Sequence, residues 1–327
     1  MTLRFHSTAL MAAAALLALA GPPAQAQNFP TKPVKILTPS SAGSGPDAAL
    51  RALGDLLSRK WGQPVIIDNK PGGNGFVAIT SFKQAHPDGH ELIAPDSSHV
   101  TTHPHTFSKL PYDPLKDFEP IRPILLTDFY VVVAKDSPYN SLADIVAAAK
   151  ANPGKLTYGS WFVGSPGHLG ALRLESQTGI KMTHVPYKEM PQLFAGVANK
   201  EVDWSLGSLA SAGPMEKAGK IRFIGVGAKK RSAFLPDAPS ADESPVTKGF
   251  ESNAWVGLFA PPGTPKAIKE KISADVREAL NSPAMQERYR TLGYELMDLG
   301  PDQYAERIRQ DTAVWKKVVQ EAGLRLD

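Results

Sequence analysis

Cysteine is absent from this 327-residue chain. That excludes disulfide staples, thiolate nucleophiles and thiolate metal sites, so stability has to come from a large apolar core. No stretch approaches the ~20 apolar residues needed to cross a bilayer. No Gly-x-Ser-x-Gly elbow, Walker-type phosphate loop or complete Gly-x-Gly-x-x-Gly fingerprint occurs. A strong charge of one sign is missing too. The formal net charge is +4, from 36 basic and 32 acidic residues, and Lys229-Lys230-Arg231 is the longest basic run. So small and scattered an excess does not make a nucleic-acid footprint, and no nucleic-acid partner is expected.

What is present reads as an exported globular protein. Arg4 and His6 precede an apolar run at residues 8–20, Gly21-Pro22-Pro23 breaks it, and Ala24-Gln25-Ala26 is a small-x-small processing site. The run is short for a membrane anchor. Residues 1–26 are therefore expected to be a signal peptide cleaved after Ala26, which marks the mature chain for export. Hydrophobic residues at 42% and charged residues at 21% exclude disorder, and the remaining length predicts two domains.

Strand and helix signals alternate through most of the chain. Val34, Ile36 and Leu37 open a β-rich run, and Ala49, Leu50, Leu53, Leu56 and Leu57 follow at helical spacing. The pattern recurs with strands near 65–67, 91–94, 129–134, 156–160, 182–187 and 221–226. Helices are expected at 76–85, 142–151 and 166–178. Beyond Pro265 the chain turns helical, at 266–281, 283–292 and 301–322. Strands separated by helices predict α/β domains with parallel sheets covered on both faces. The apolar stretches near 125–131 and 252–259 are candidates for two crossings between domains. The expected division is 27–127 plus 248–327 for a discontinuous first domain and 128–247 for the second, with a ligand cleft between them that opens on a hinge.

Two loops share one construction. Ser44-Gly45-Pro46-Asp47 ends a Ser/Gly loop and starts a helix with proline in its first turn; Gly164-Ser165-Pro166-Gly167 does the same. Each follows the carboxyl end of a strand, where open α/β sheets bind ligands. A helix start offers unpaired N–H groups and partial positive charge, glycine admits a ligand to the backbone, and serine adds a hydroxyl. Two such ends facing one cleft would grip an anion without lysine or arginine. Each is worth about 0.3–2 kcal/mol, against about 8 kcal/mol for a micromolar ligand, so hydrogen bonds and apolar burial must supply most of the affinity.

The chain also resembles a known family along nearly its whole mature length. The matching segments include Phe29-Pro30-Thr31-Lys32-Pro33, Pro39-Ser40-Ser41-Ala42-Gly43-Ser44-Gly45, Asn69-Lys70-Pro71-Gly72 and Pro87-Asp88-Gly89. Leu110-Pro111-Tyr112-Asp113-Pro114, His184-Val185-Pro186-Tyr187-Lys188 and Ala260-Pro261-Pro262-Gly263-Thr264-Pro265 continue the match. Together they resemble the tripartite tricarboxylate transporter substrate-binding proteins, also called Bug receptors. The resemblance implies a two-domain periplasmic binding protein of the Venus-flytrap kind. It further implies a small organic carboxylate held by amides, hydroxyls and waters, no cofactor and no metal, a monomer, and delivery to inner-membrane permease subunits.

The ligand-binding candidates are Ser40, Ser41, Ala42, Gly43, Ser44, Gly45 and Asp47 in the first loop, Ser97, and Trp161, Phe162, Val163, Gly164, Ser165 and His168 in the second. Tyr187, Lys188, Gly207 and Ser208 complete the set. Two departures from the family pattern bear on the ligand. An aspartate common in the family falls at Gly207, which removes a partner for an ammonium. Trp161 and Phe162 add flat apolar surface suited to an aromatic acid; the other ligand reading is a dicarboxylate.

Two other functions stay open on the residues. A co-receptor presenting its ligand to a sensor kinase would use the same hinge. A secreted metal-free hydrolase would need a base, and His168 near Ser165 is the candidate, with no acid placed to orient it. His99, His103 and His105 superficially suggest a metal site, but Pro104 interrupts their spacing and no acid follows closely. They read more simply as surface or capping histidines.

Overall fold

A computed structural model describes residues 29–161 and 163–326. The expected signal peptide and Phe162 lie outside the described residues. The chain opens with β1 (Val34–Thr38), α1 (Gly45–Trp61), β2 (Val65–Asn69), α2 (Phe76–Phe82) and β3 (Glu91–Ile93). Three short helices follow, α3 (Ser97–Thr101), α4 (His103–Thr106) and α5 (Pro114–Asp117), before the long strand β4 (Glu119–Asp128). Only Phe129 separates β4 from β5 (Tyr130–Ala134). Then come α6 (Leu142–Ala151), β6 (Thr157–Ser160), α7 (Pro166–Thr178), β7 (Thr183–Pro186), α8 (Met190–Ala198), β8 (Trp204–Gly207), α9 (Leu209–Lys217) and β9 (Ile221–Val226). Strand β10 (Asn253–Ala260) returns, and α10 (Lys266–Leu280), α11 (Pro283–Leu292) and α12 (Pro301–Ala322) end the fold.

Local chemistry accounts for the main helices. In α1, Ser44 caps the first turn, the buried Ala49, Leu50, Leu53 and Leu57 form one apolar stripe, and left-handed Gly62 stops it. In α6, Ser141 and Asp144 form a reciprocal capping box. Ser165 caps α7 and Gly179 ends it.

The strands form two five-stranded sheets, ordered β2-β1-β3-β10-β4 and β7-β6-β8-β5-β9. The expectation of parallel sheets holds only for β2-β1-β3 and β7-β6-β8; β10 runs antiparallel to β3 and β4, and β5 runs antiparallel to β8 and β9. The reason is the pair of crossings. β4 runs straight into β5, and β10 arrives from the second sheet, so their directions follow the passage between lobes rather than a helical crossover. One apolar cluster on each face of the first sheet and one around the second make the core. Helix α12 packs on β4 and on α7, with the Arg173 guanidinium 5.9 Å from the Trp315 ring centroid.

At the β4–β5 crossing sits Asp128. Burial pushes its carboxyl up to about 7, Glu295 and Glu251 push the same way, and Arg307 partly opposes them. A carboxyl raised above its unfolded value binds its proton preferentially in the folded state, so folding stability falls as pH rises from about 4 to about 7. In calorimetry Asp128→Asn is expected to flatten this slope and to raise the melting temperature at pH 8.

Candidate functional site

Between the two sheets lies a cavity of about 500 Å³. Its first-lobe wall is built at the carboxyl ends of three neighbouring strands. Ser40 and Ser41 come from the loop after β1, Asn74 and Gly75 from the turn after β2, and Asp96, Ser98, His99 and His103 from the segment after β3. The second lobe supplies Trp161, Val163, Gly164 and Pro166 after β6 and Ser208 after β8. Thr127, Phe129, Ala254 and Trp255 floor it where the strands cross. Among the described residues no lysine or arginine lines the cavity.

Of the residues expected from sequence, Ser40, Ser41, Trp161, Val163, Gly164 and Ser208 stand on this wall. The amides of Ser41 and Val163, one from each lobe, donate to no acceptor among the described residues, so both are free for a guest. Trp161 is almost buried, with its ring 5.7 Å from Phe129 and its far edge over Gly167. It is at once cavity wall and core. Replacing it with the smaller ring in Trp161→Phe should weaken an acid with an apolar body several-fold in fluorescence titration while leaving the fold intact.

Other expected residues serve the wall from behind. Asp47 is buried, and its carboxylate accepts from the Gly43 amide (2.8 Å), Arg51 (3.0 Å) and Asn69 (2.8 Å). It is spent on shaping the first loop. Ala42, Gly43 and Asp47 border an outer groove instead, beside Arg51 and Arg288. The start of α1 is covered: a Cβ on Gly45 would overlap the Tyr294 hydroxyl, and Tyr294 itself lines the cavity. Ser44 is occupied in capping α1. In the first lobe, then, Ser40 and Ser41 stand on the cavity wall and residues 43–45 do not.

In the second loop, the Gly164 amide donates to His168 Nδ1 at 2.9 Å, and Ser165 caps α7. His168 thus accepts a backbone amide at Nδ1. Its ring stacks on His184 with centroids 3.9 Å apart, and burial pushes it down to about 3. Gly164 sits at φ +84°, a conformation that glycine adopts without strain. Ser97 lies beneath the wall, its hydroxyl near the Trp255 amide. Tyr187 packs over Gly159 and Gly196, and Lys188 is exposed beyond the edge strand β7. Gly207 corrects another expectation. A Cβ there would meet Phe194 at 2.8 Å, so a side chain at 207 points into the core, and its absence says nothing about an ammonium.

The sequence missed Asp96, Ser98, His99 and His103. His99 and His103 are buried, not surface residues, and an acid does stand beside them: Asp96 Oδ1 lies 3.0 Å from His99 Nδ1. Despite opposing burial, the His99 charge and the hydrogen bonds from His99 and Ser98 hold the Asp96 carboxyl well below its usual range. Burial opposes the charge on His99, but Asp96 raises its pKa above the ordinary value, so each favours the charged form of the other. The carboxyl end of β3 was the signal that would have found them, since it lies beside that of β1.

Two α/β lobes joined by two strand crossings, with a cavity walled by both, define a cleft-type solute-binding protein. Residues 49–324 match the family model described as tripartite tricarboxylate transporter family receptor. A UPF0065 protein of Bordetella pertussis is 32% identical over 94% of this chain and 95% of its own length. The R. palustris protein Rpa4515, solved with adipate, is 29% identical with a TM-score of 0.77, over 91% of this chain and 99% of that one. MatC from Rhodopseudomonas palustris, solved with bound malate, is 28% identical with a TM-score of 0.73, over 89% and 100%. The chain belongs to the tripartite tricarboxylate transporter receptor family.

Proposed function

We propose that this protein captures a small organic carboxylate in the cavity between its lobes and presents it to inner-membrane permease subunits. The observation that carries this reading is a wall with unpaired amides from both lobes, hydroxyls at Ser40 and Ser41, and no lysine or arginine among the described residues. Such a wall suits an anion that has to be released again, because each contact is modest and all are lost together when the lobes part. Relatives solved with adipate and malate support a carboxylate. The apolar part of the wall, with Trp161, Phe129 and Trp255, suits an acid with an apolar or aromatic body. Lobes 27–127 plus 248–327 and 128–247, hinged at the two crossings, would close on it. The signal-like N-terminus supports a periplasmic location, and among the described residues no helix is long and apolar enough to cross a membrane.

A receptor returns its ligand unchanged. His168, the hydrolase candidate, is buried and held by the Gly164 amide, which favours a structural duty over proton transfer. The test is native mass spectrometry of protein purified from rich medium, followed by a thermal-shift screen of mono-, di- and tricarboxylates. A true ligand at a hundredfold excess over its dissociation constant adds about 2.7 kcal/mol of stability. An acid consumed during incubation, or no acid that stabilises the protein, would refute the reading.

A further inference from the structure

The cavity wall is chemically lopsided. Towards the loops after β1 and β6 it offers donors, the Ser41 and Val163 amides and the Ser40 and Ser41 hydroxyls. Towards α3 and α4 it offers acceptors. Asp96 Oδ1 takes the Ser98 amide at 2.8 Å and the Ser98 hydroxyl, and it faces His99. Asp96 Oδ2 has no partner among the described residues, although the side chain is 40% exposed.

His103 supplies the second acceptor, and its tautomer follows from its neighbour. The Tyr112 hydroxyl donates its one proton to the His99 carbonyl at 2.6 Å. Its oxygen, 3.2 Å from His103 Nδ1, can therefore only accept there, so Nδ1 carries the ring proton. Burial and the neighbouring His99 charge push His103 down to about 3, with Asp96 opposing, so the ring is neutral and Nε2 keeps a lone pair. No hydrogen bond reaches Nε2 among the described residues, and His103 lines the cavity. The His99 and His103 rings are 4.9 Å apart, which keeps both acceptors in one corner.

We propose that the Asp96–His103 corner reads a hydrogen-bond donor on the ligand, so that the preferred guest is a hydroxy-substituted acid: a carboxylate at the donor-rich loops and a hydroxyl at the acceptor corner. This rests on the carboxylate reading above and narrows it. A second carboxylate at this corner would meet an acceptor with no proton to share, and a bare methylene would leave two polar groups dry and unpaired. An ammonium fits less well than a hydroxyl, because His99 already balances the Asp96 charge.

The test is calorimetric titration with matched pairs, succinate against malate and benzoate against 4-hydroxybenzoate, with aspartate as the ammonium arm. In at least one pair the hydroxy acid should bind tenfold or more tightly than its parent, and malate should outbind aspartate. Asp96→Asn, which keeps the capping oxygen and turns the outer acceptor into a donor, should erase or invert that preference. His103→Phe, which keeps the ring and loses the acceptor, should reduce it, the preference being read as the ratio of the two affinities within each variant. Equal binding of both members of every pair that binds overturns the inference and leaves the carboxylate reading standing. So does a preference that both variants retain, or a preference for aspartate. If no acid of any kind binds, the carboxylate reading itself fails.

Discussion

Ser41→Asp should lower the affinity for the bound acid a hundredfold or more and leave the melting temperature of the free protein unchanged. Ser41 is exposed on the cavity wall, so a larger side chain there disturbs no packing. What it adds is a second negative charge close to the guest. At 4 Å and an effective dielectric constant near 20, two like charges repel by about 4 kcal/mol, and among the described residues no lysine or arginine lines the wall to offset that. Ser41→Asn, close in size but neutral, should stay within a few-fold of the parent. Calorimetric titration of both variants with the same acid checks the pair. An anion site held by a lysine or arginine would feel the same substitution far less.

The largest stability loss is expected at Gly257→Ala. Gly257 lies on the crossing strand β10, and a Cβ there would overlap the Tyr304 hydroxyl and stand 2.5 Å from its ring carbon. Tyr304 is fully buried between the strand and α12 and T-stacks on Trp255 at 5.2 Å, so neither side can retreat. Overpacking a rigid core costs about 1–3 kcal/mol and occasionally more; strand and ring are both pinned, and this site belongs at or above the top of that range. Tyr304→Phe is the informative partner. The Tyr304 hydroxyl has no hydrogen-bond partner among the described residues, and burial drives its pKa well above the ordinary phenol value. Removing it should therefore leave stability unchanged or raise it. Urea unfolding of the two single variants and the double variant would show whether the clash lies at that oxygen, because the double variant should recover part of the loss.

Much of the fold was legible because local signals and burial agree. The serine–proline starts of α1 and α7 lie where the sequence put them. The antiparallel strands were not legible, since nothing in the residues of β5 or β10 tells which neighbour they pair with; the passage between lobes decides that. The site was half legible. Hydroxyl- and glycine-rich loops announce themselves, and Ser40, Ser41 and Gly164 do stand on the cavity wall. Gly45 looks open to a ligand in the sequence but is closed by Tyr294, which arrives from the far end of the chain. Asp96 and His103 were missed for a related reason. Their meaning depends on Tyr112 fixing a proton and on β3 lying beside β1, and neither contact can be read from spacing.

Hydrogen–deuterium exchange of the backbone, with and without a saturating acid from the thermal-shift screen, addresses the two-lobed grip most directly. The Ser41 and Val163 amides donate to no described acceptor in the free protein, so both should exchange fast until a guest accepts their hydrogens. Peptides covering 40–42 and 163–165 are expected to gain protection together, at the same acid concentration. Protection confined to one lobe, or binding that leaves both segments as fast as before, would contradict a grip shared between the lobes.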